Sequence, residues 1–130
     1  MSKIDDAWKA VLRQPVFAHL STLMPDGSPQ TSPVWIDIDG DTLVINSAQG
    51  RVKDKNMRRD PRVAISLTDP QNPYKALAIR GRVKDITTQG ADAHIDSMAK
   101  KYLGKDSYPF RQPGEVRVIY RIEPQSISGM

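Results

Sequence analysis

The feature that most constrains the fold is the spacing of the turn signals. Pro25-Asp26-Gly27, Asp39-Gly40 and Asp69-Pro70-Gln71-Asn72-Pro73 punctuate a chain of 130 residues. Each combines a residue that fixes or frees φ with an Asp or Asn that can bond its own backbone. Between and around them lie runs of strand length, at residues 16–23, 30–38, 42–47 and 62–68. Two further runs, 74–86 and 115–127, bring the expected total to about six strands. Short turns join antiparallel neighbours, because parallel ones need long crossovers. Several short strands in so small a chain favour a closed or split barrel, since closure hides the sheet edges. The expectation is a mainly β protein, a six-stranded antiparallel split barrel with two or three helices. It forms one domain over residues 1–130, with no internal repeat, low-complexity tract or linker.

The pattern within the runs is informative. Residues 62–68 alternate cleanly, with Val63, Ile65 and Leu67 on one face. Leu77 and Ile79 oppose Arg80 and Arg82, and Gly81 marks a bend. Val116, Val118, Tyr120 and Ile122 share one side of the last strand. Pro33 lacks a ladder donor, so a bulge or an edge belongs there. Ser2 is a candidate cap for a first helix, with Ile4, Trp8, Val11 and Leu12 on one face and Pro15 as its stop. Thr87 or Thr88 is a candidate cap for a later helix. Its apolar stripe is Ile95, Met98, Ala99 and Tyr102, and Gly104 ends it.

Composition removes several function classes. There is no cysteine, which excludes disulfides and thiolate chemistry. The two histidines, His19 and His94, have no clustered ligand spacing, so no metal site is expected. His19 reads as a packed or interface residue rather than a catalytic base, and His94 as solvent-facing or at an interface. No nucleophile elbow, P-loop or dinucleotide glycine fingerprint occurs. No apolar run reaches the length of a membrane span, and residues 1–6 lack the apolar core of a signal peptide. A cytoplasmic protein is expected, with no membrane partner. The net charge of +4 favours an anionic ligand. No aromatic-rich strand accompanies the basic residues, so nucleic acid is not the expected partner.

The basic residues concentrate after Gly50. From Arg51 to Arg62 there are six cations (Arg51, Lys53, Lys55, Arg58, Arg59, Arg62) against Asp54 and Asp60. A polar helical turn that starts behind a glycine offers unpaired amides together with Arg and Lys side chains. That combination suits a phosphate. On composition alone the favoured reading is a solvated connector.

The run Gly50-Arg51-Val52-Lys53-Asp54-Lys55-Asn56-Met57-Arg58-Arg59-Asp60-Pro61-Arg62-Val63-Ala64 resembles a known segment. It is similar to the phosphate-binding segment of flavin and deazaflavin oxidoreductases related to pyridoxamine 5'-phosphate oxidase. Further similar stretches follow in order over nearly the whole chain. They are Asp26-Gly27-Ser28-Pro29-Gln30-Thr31-Ser32-Pro33-Val34-Trp35, then Asn72-Pro73-Tyr74 with Ile79-Arg80-Gly81-Arg82-Val83. His94-Ile95-Asp96, Lys101-Tyr102-Leu103-Gly104, Tyr108-Pro109 and Pro113-Gly114-Glu115 complete the set. The set most resembles the small branch that depends on the deazaflavin coenzyme F-420.

The resemblance implies an FMN-binding-like split barrel and a homodimer, with cofactors in two grooves at the interface. It implies that Arg51 and Lys53 hold the cofactor phosphate, with Lys55 and Asn56 beside them. Gln30, Thr31, Ser32, Pro33 and Val34 correspond to the strand along the ring system, and Asn46 and Ser47 to the same groove. Tyr74 aligns with an aromatic position that comes from the opposite subunit in relatives, and it is a weak candidate for proton delivery. No other catalytic residue is assigned. The implied activity is hydride transfer from reduced F-420 to a small organic acceptor, an unsaturated carbonyl or quinone-like compound. One alternative is an FMN-dependent oxidoreductase of the same fold. Another is a non-catalytic protein that binds a flavin, a deazaflavin or a haem. The short C-terminus counts against pyridoxamine phosphate oxidase activity itself.

Overall fold

The computed structural model describes residues 3–129. Its helices are α1 (Asp6–Leu12), α2 (Val52–Arg59) and α3 (Ala91–Leu103). Its strands are β1 (Phe17–Leu23), β2 (Pro29–Trp35), β3 (Asp37–Asp39), β4 (Thr42–Ala48), β5 (Arg62–Asp69), β6 (Asn72–Thr87) and β7 (Arg117–Gly129). All seven strands form one antiparallel sheet in the order β2-β1-β5-β6-β7-β4-β3. β2 and β3 stand at its opposite edges, yet only Ile36 separates them in the chain. The sheet therefore curls until its edges adjoin, which is the split barrel. Leu20, Ile45, Ile65, Ile79, Tyr120 and Ile122 fill its interior, each 2% exposed or less.

The seventh strand is a correction to the six expected, and its cause is tertiary. The expected strand 30–38 breaks at Ile36 because α3 takes that residue's backbone groups. Ile36 N–H donates to the Tyr102 hydroxyl at 2.9 Å, and Ile36 C=O accepts from Lys101 Nζ at 2.7 Å. Lys101 also reaches Leu12 C=O at 2.7 Å, and Tyr102 donates to Val16 C=O. Burial lowers the Lys101 ammonium to about 8 against the pull of Asp37. Tyr102, read from the sequence as part of an apolar stripe, instead ties two chain segments together through its oxygen.

Other local expectations stand. β2, which carries Pro33, is an edge strand. Val63, Ile65, Leu67, Leu77 and Ile79 all point into the core. The register shifts at Gly81, where an added Cβ would lie 2.9 Å from Ile122 Cγ2 and 3.0 Å from Glu123 O. Only glycine permits that approach.

The helix caps need correction. Gly90 is the N-cap of α3. Thr87 Oγ1 accepts from Gln89 N–H and Thr88 C=O accepts from Ala91 N–H, so the threonines build the preceding turn. The Ser2 expectation falls outside the described residues, and Asp5 caps α1 by accepting from Ala7 N–H. Val116 precedes β7 and is 44% exposed rather than part of its apolar side. α3 lies on the outside of β4 and β7, where Val44, Ala91 and Ile119 form a second small apolar cluster. β4 is thus covered on both faces, which explains its continuous apolar run.

Candidate functional site

The site is organised by the turn from β4 into α2. Gly50 has φ +90, and nothing lies within 4 Å of where its Cβ would stand. The demand there is purely on the backbone. Arg51 occupies the N-cap position but makes no side-chain cap bond. Asp54, 2% exposed, instead reaches back to the turn before the helix. Its Oδ2 accepts from Gly50 N–H at 2.9 Å. Its Oδ1 accepts from Arg58 Nε at 2.9 Å and from the Tyr120 hydroxyl. Burial pushes the Asp54 carboxyl up, but Gly50 N–H, Tyr120 and Arg58 outweigh it and hold it below the usual range. Burial and then Asp54 push the Tyr120 hydroxyl up, so its proton stays in place.

The turn delivers Arg51 and Lys53 to a groove of about 200 Å³. Arg117 joins them from the start of β7. It is 5% exposed, and Nε donates to Asn46 Oδ1 at 2.9 Å while Nη1 donates to Glu115 Oε1 at 2.5 Å. Arg51 Nη2 lies 3.5 Å from the same Glu115 oxygen. Burial and then the charges of Arg51 and Arg117 lower the pKa of Lys53. Three cations therefore crowd one groove beside one carboxylate. Ser47, also in the lining, has a buried hydroxyl with no hydrogen-bond partner among the described residues, as has Ser32. An anion with several acceptor oxygens answers the excess charge.

The remaining walls are apolar and largely aromatic. Pro33, Val34 and Trp35 come from β2, and Phe17 from β1. Tyr108 and Phe110 come from the loop after α3. Trp35 stacks on Tyr102 at 4.8 Å between centroids and 6° between planes, and meets Tyr108 edge-on at 6.0 Å. The Arg117 guanidinium sits 5.0 Å from the Tyr108 ring centroid. Cations beside flat apolar surface suit a ligand that joins a phosphate to an aromatic ring.

Of the residues expected from the sequence, Pro33, Val34, Asn46, Ser47, Arg51 and Lys53 line this groove. The others lie elsewhere. Gln30 Oε1 accepts from Thr22 Oγ1 at 3.1 Å, and the Thr31 and Ser21 hydroxyls pair across β1 and β2. Lys55 is exposed on α2. Asn56 is turned inward, its Nδ2 donating to Thr22 Oγ1 at 3.0 Å and its Oδ1 accepting from Arg59 at 2.7 Å. Tyr74 lies near the start of β6 and is 86% exposed. Arg58, Arg59 and Arg62 are engaged by Asp54, Leu23 C=O and Asp60.

Sequence reasoning missed Arg117, Tyr108, Phe110 and the groove-facing role of Trp35. Arg117 had one legible signal, a cation opening the apolar run Val118-Ile119-Tyr120. Of the two places expected for His94, the structure rules out the solvent-facing one. Its side chain is 14% exposed, with Nε2 3.0 Å from Asp37 Oδ2 and Nδ1 3.0 Å from Asn46 Nδ2. Among the described residues, no group of three or more His, Cys, Asp or Glu could hold a metal ion. No helix among them is long and apolar enough to cross a membrane.

Comparison with known proteins fits this geometry. The family model described as pyridoxamine 5'-phosphate oxidase matches residues 4–130. An F-420 reductase is 32% identical, with a TM-score of 0.83 over 96% of this chain and 98% of its own. A conserved hypothetical protein from Mycobacterium tuberculosis shares the fold at 20% identity and a TM-score of 0.75, over 99% of this chain and 85% of its own. HupZ of group A Streptococcus does so at 19% identity and a TM-score of 0.69, over 98% and 94%.

Proposed function

Because the chain belongs to the pyridoxamine 5'-phosphate oxidase family, we propose that its groove holds the deazaflavin coenzyme F-420 and that the protein is an oxidoreductase. The acceptor is a small unsaturated carbonyl or quinone-like compound. The observation that carries this reading is that Arg51, Lys53 and Arg117 line one groove together with flat apolar side chains. Likeness to an F-420 reductase favours the deazaflavin. FMN is the second reading, because a flavin phosphate would meet the same cations.

Bound in reduced form, the coenzyme supplies hydride. The protein's part is grip and orientation. Arg51 addresses phosphate oxygens through paired N–H groups, and Lys53 adds a point charge. An anion there offsets the burial and the repulsion from Arg51 and Arg117 that lower the Lys53 pKa. Pro33, Val34 and Trp35 give the ring a flat wall and keep water from it. Lys55, exposed on α2, is placed to meet an acidic tail. The acceptor gains hydride at carbon and takes its proton from water.

A second copy of the chain completes the site. The outward face of β1, β5, β6 and β7 carries Ser21, Ala64, Ser66, Ala78, Ser126 and Ser128 around a shallow hollow of about 590 Å³. His19 and Arg80 stand among them, and the small side chains between leave room for another sheet to approach. Phe17, 61% exposed, borders both this face and the groove. Covering the face therefore also encloses the ligand. Stable pairing needs about 800 Å² from each partner.

The test is the absorbance of reduced F-420 mixed with the protein and a simple quinone or enone. Protein-dependent oxidation of the coenzyme is expected. Tight binding without turnover on any such acceptor would make the protein a carrier instead.

A further inference from the structure

Donor and acceptor counting around Asn46 fixes a polar relay that ends in the groove. Ala91 C=O can only accept, and it lies 2.9 Å from one terminal atom of the Asn46 amide, which is therefore Nδ2. Arg117 Nε can only donate, and it lies 2.9 Å from the other, which is therefore Oδ1. One Asn46 hydrogen goes to Ala91. The second points at His94 Nδ1, 3.0 Å away. That nitrogen must accept, so it carries no proton. The ring proton then sits on Nε2 and is donated to Asp37 Oδ2 at 3.0 Å. Asp37 is suited to receive it. Burial raises its carboxyl, but the hydrogen bond of His94 above all, and then that of Ile38 N–H, hold it below the usual range.

We infer that His94, held by Asp37 in its neutral Nε2–H form, is a positioning residue that orients Asn46 and through it aims the Arg117 guanidinium into the groove. The chain of contacts runs Asp37, His94, Asn46, Arg117, Glu115, across β3, α3, β4, β7 and the loop before it. Nothing in the family resemblance assigned this task to His94. Its value for cofactor binding rests on the function proposed above, but its geometry does not. A buried Arg with unguided rotamers would lose entropy on meeting an anion, whereas one already fixed at Nε and Nη1 does not.

Protonation would break the relay. A proton on Nδ1 would face the Asn46 hydrogen, and two donors would meet. The charged groups around His94 are Asp37 on β3, Lys101 on its own helix, and Arg117 on β7 behind Asn46.

The experiment is nitrogen-15 NMR of the ligand-free protein, following the His94 ring and the Arg117 Nε–H group as the pH is lowered from the slightly alkaline side until the ring carries both protons. The Nε2–H tautomer and a protected Arg117 signal are expected at the upper end, with that signal lost as His94 gains its second proton. In His94→Asn the new Oδ1 can take the place of Nδ1, so the Arg117 signal should persist at every pH. In His94→Ala it should be absent throughout. An Nδ1–H tautomer at the upper pH, or an Arg117 signal indifferent to His94 titration, would overturn the relay without needing any variant to fold. If the relay holds and neither F-420 nor FMN binds, the proposed function fails and the inference about His94 stands.

Discussion

At the scale of single residues, the site is a concentration of positive charge that the fold itself does not neutralise. Glu115 is shared between Arg117 and Arg51, and the longer contact, 3.5 Å, falls to Arg51. Lys53 gains nothing from its position in the groove, since burial and its two cationic neighbours all lower its pKa. Residues held in such a way serve a ligand rather than stability. Replacing Arg51 and Lys53 together with alanine should leave the fold intact. Each charged hydrogen bond lost costs about 1.5 kcal/mol or more, so binding of the phosphorylated cofactor should weaken at least about tenfold per residue. Unchanged affinity, read by fluorescence titration, would remove the phosphate assignment.

At the scale of elements, α2 is placed by Asp54 and by the backbone of Gly50. The Asp54 carboxylate collects Gly50 N–H, Tyr120 O–H and Arg58 Nε–H, so it joins the helix start to the core. Its folded pKa is lowered. The stabilisation is therefore present above the ordinary carboxylate value of about 3.9 and lost as pH falls through the lower folded value. Asp54→Asn should cost about 2 kcal/mol at neutral pH, and the gap to the parent protein should close on acidification. Denaturant titration at several pH values measures this directly, and a constant gap would contradict the account. The helix itself was legible, because a glycine followed by alternating cations and carboxylates is a local signal. The task of Asp54 was not, because its partner Tyr120 lies 66 positions away. The break at Ile36 was hidden for the same reason. Its cause, Tyr102, is 66 residues distant and reads as apolar until its oxygen is seen between two backbone segments.

At the scale of the whole molecule, most of the barrel could be read from turn chemistry and alternation, which are short-range properties. Strand order could not, and strand order decides which residues share a groove. Arg51 and Lys53 are neighbours in the chain and were visible together. Arg117, Tyr108 and Phe110 reach them only because β7 pairs with β4, setting Ser47 opposite Val118 and Ala48 opposite Arg117. The outward face of small residues likewise emerges only from register, with Ser66 opposite both His19 and Ala78, and Ala78 opposite Ser128. Ala78→Arg in the middle of that face should yield a monomer in light scattering and lower cofactor affinity, although no groove residue has changed. A dimer that survives the substitution would place the interface elsewhere.

The central claim is that this groove is a phosphate-anchored site for a deazaflavin. Parallel titration of the protein with F-420 and with FMN, following ring fluorescence, tests it most directly. Tight binding of F-420 and weaker binding of FMN is the predicted result. Binding of neither would contradict the claim and leave Arg51, Lys53 and Arg117 without a ligand, while preference for FMN would keep the groove and change its cofactor.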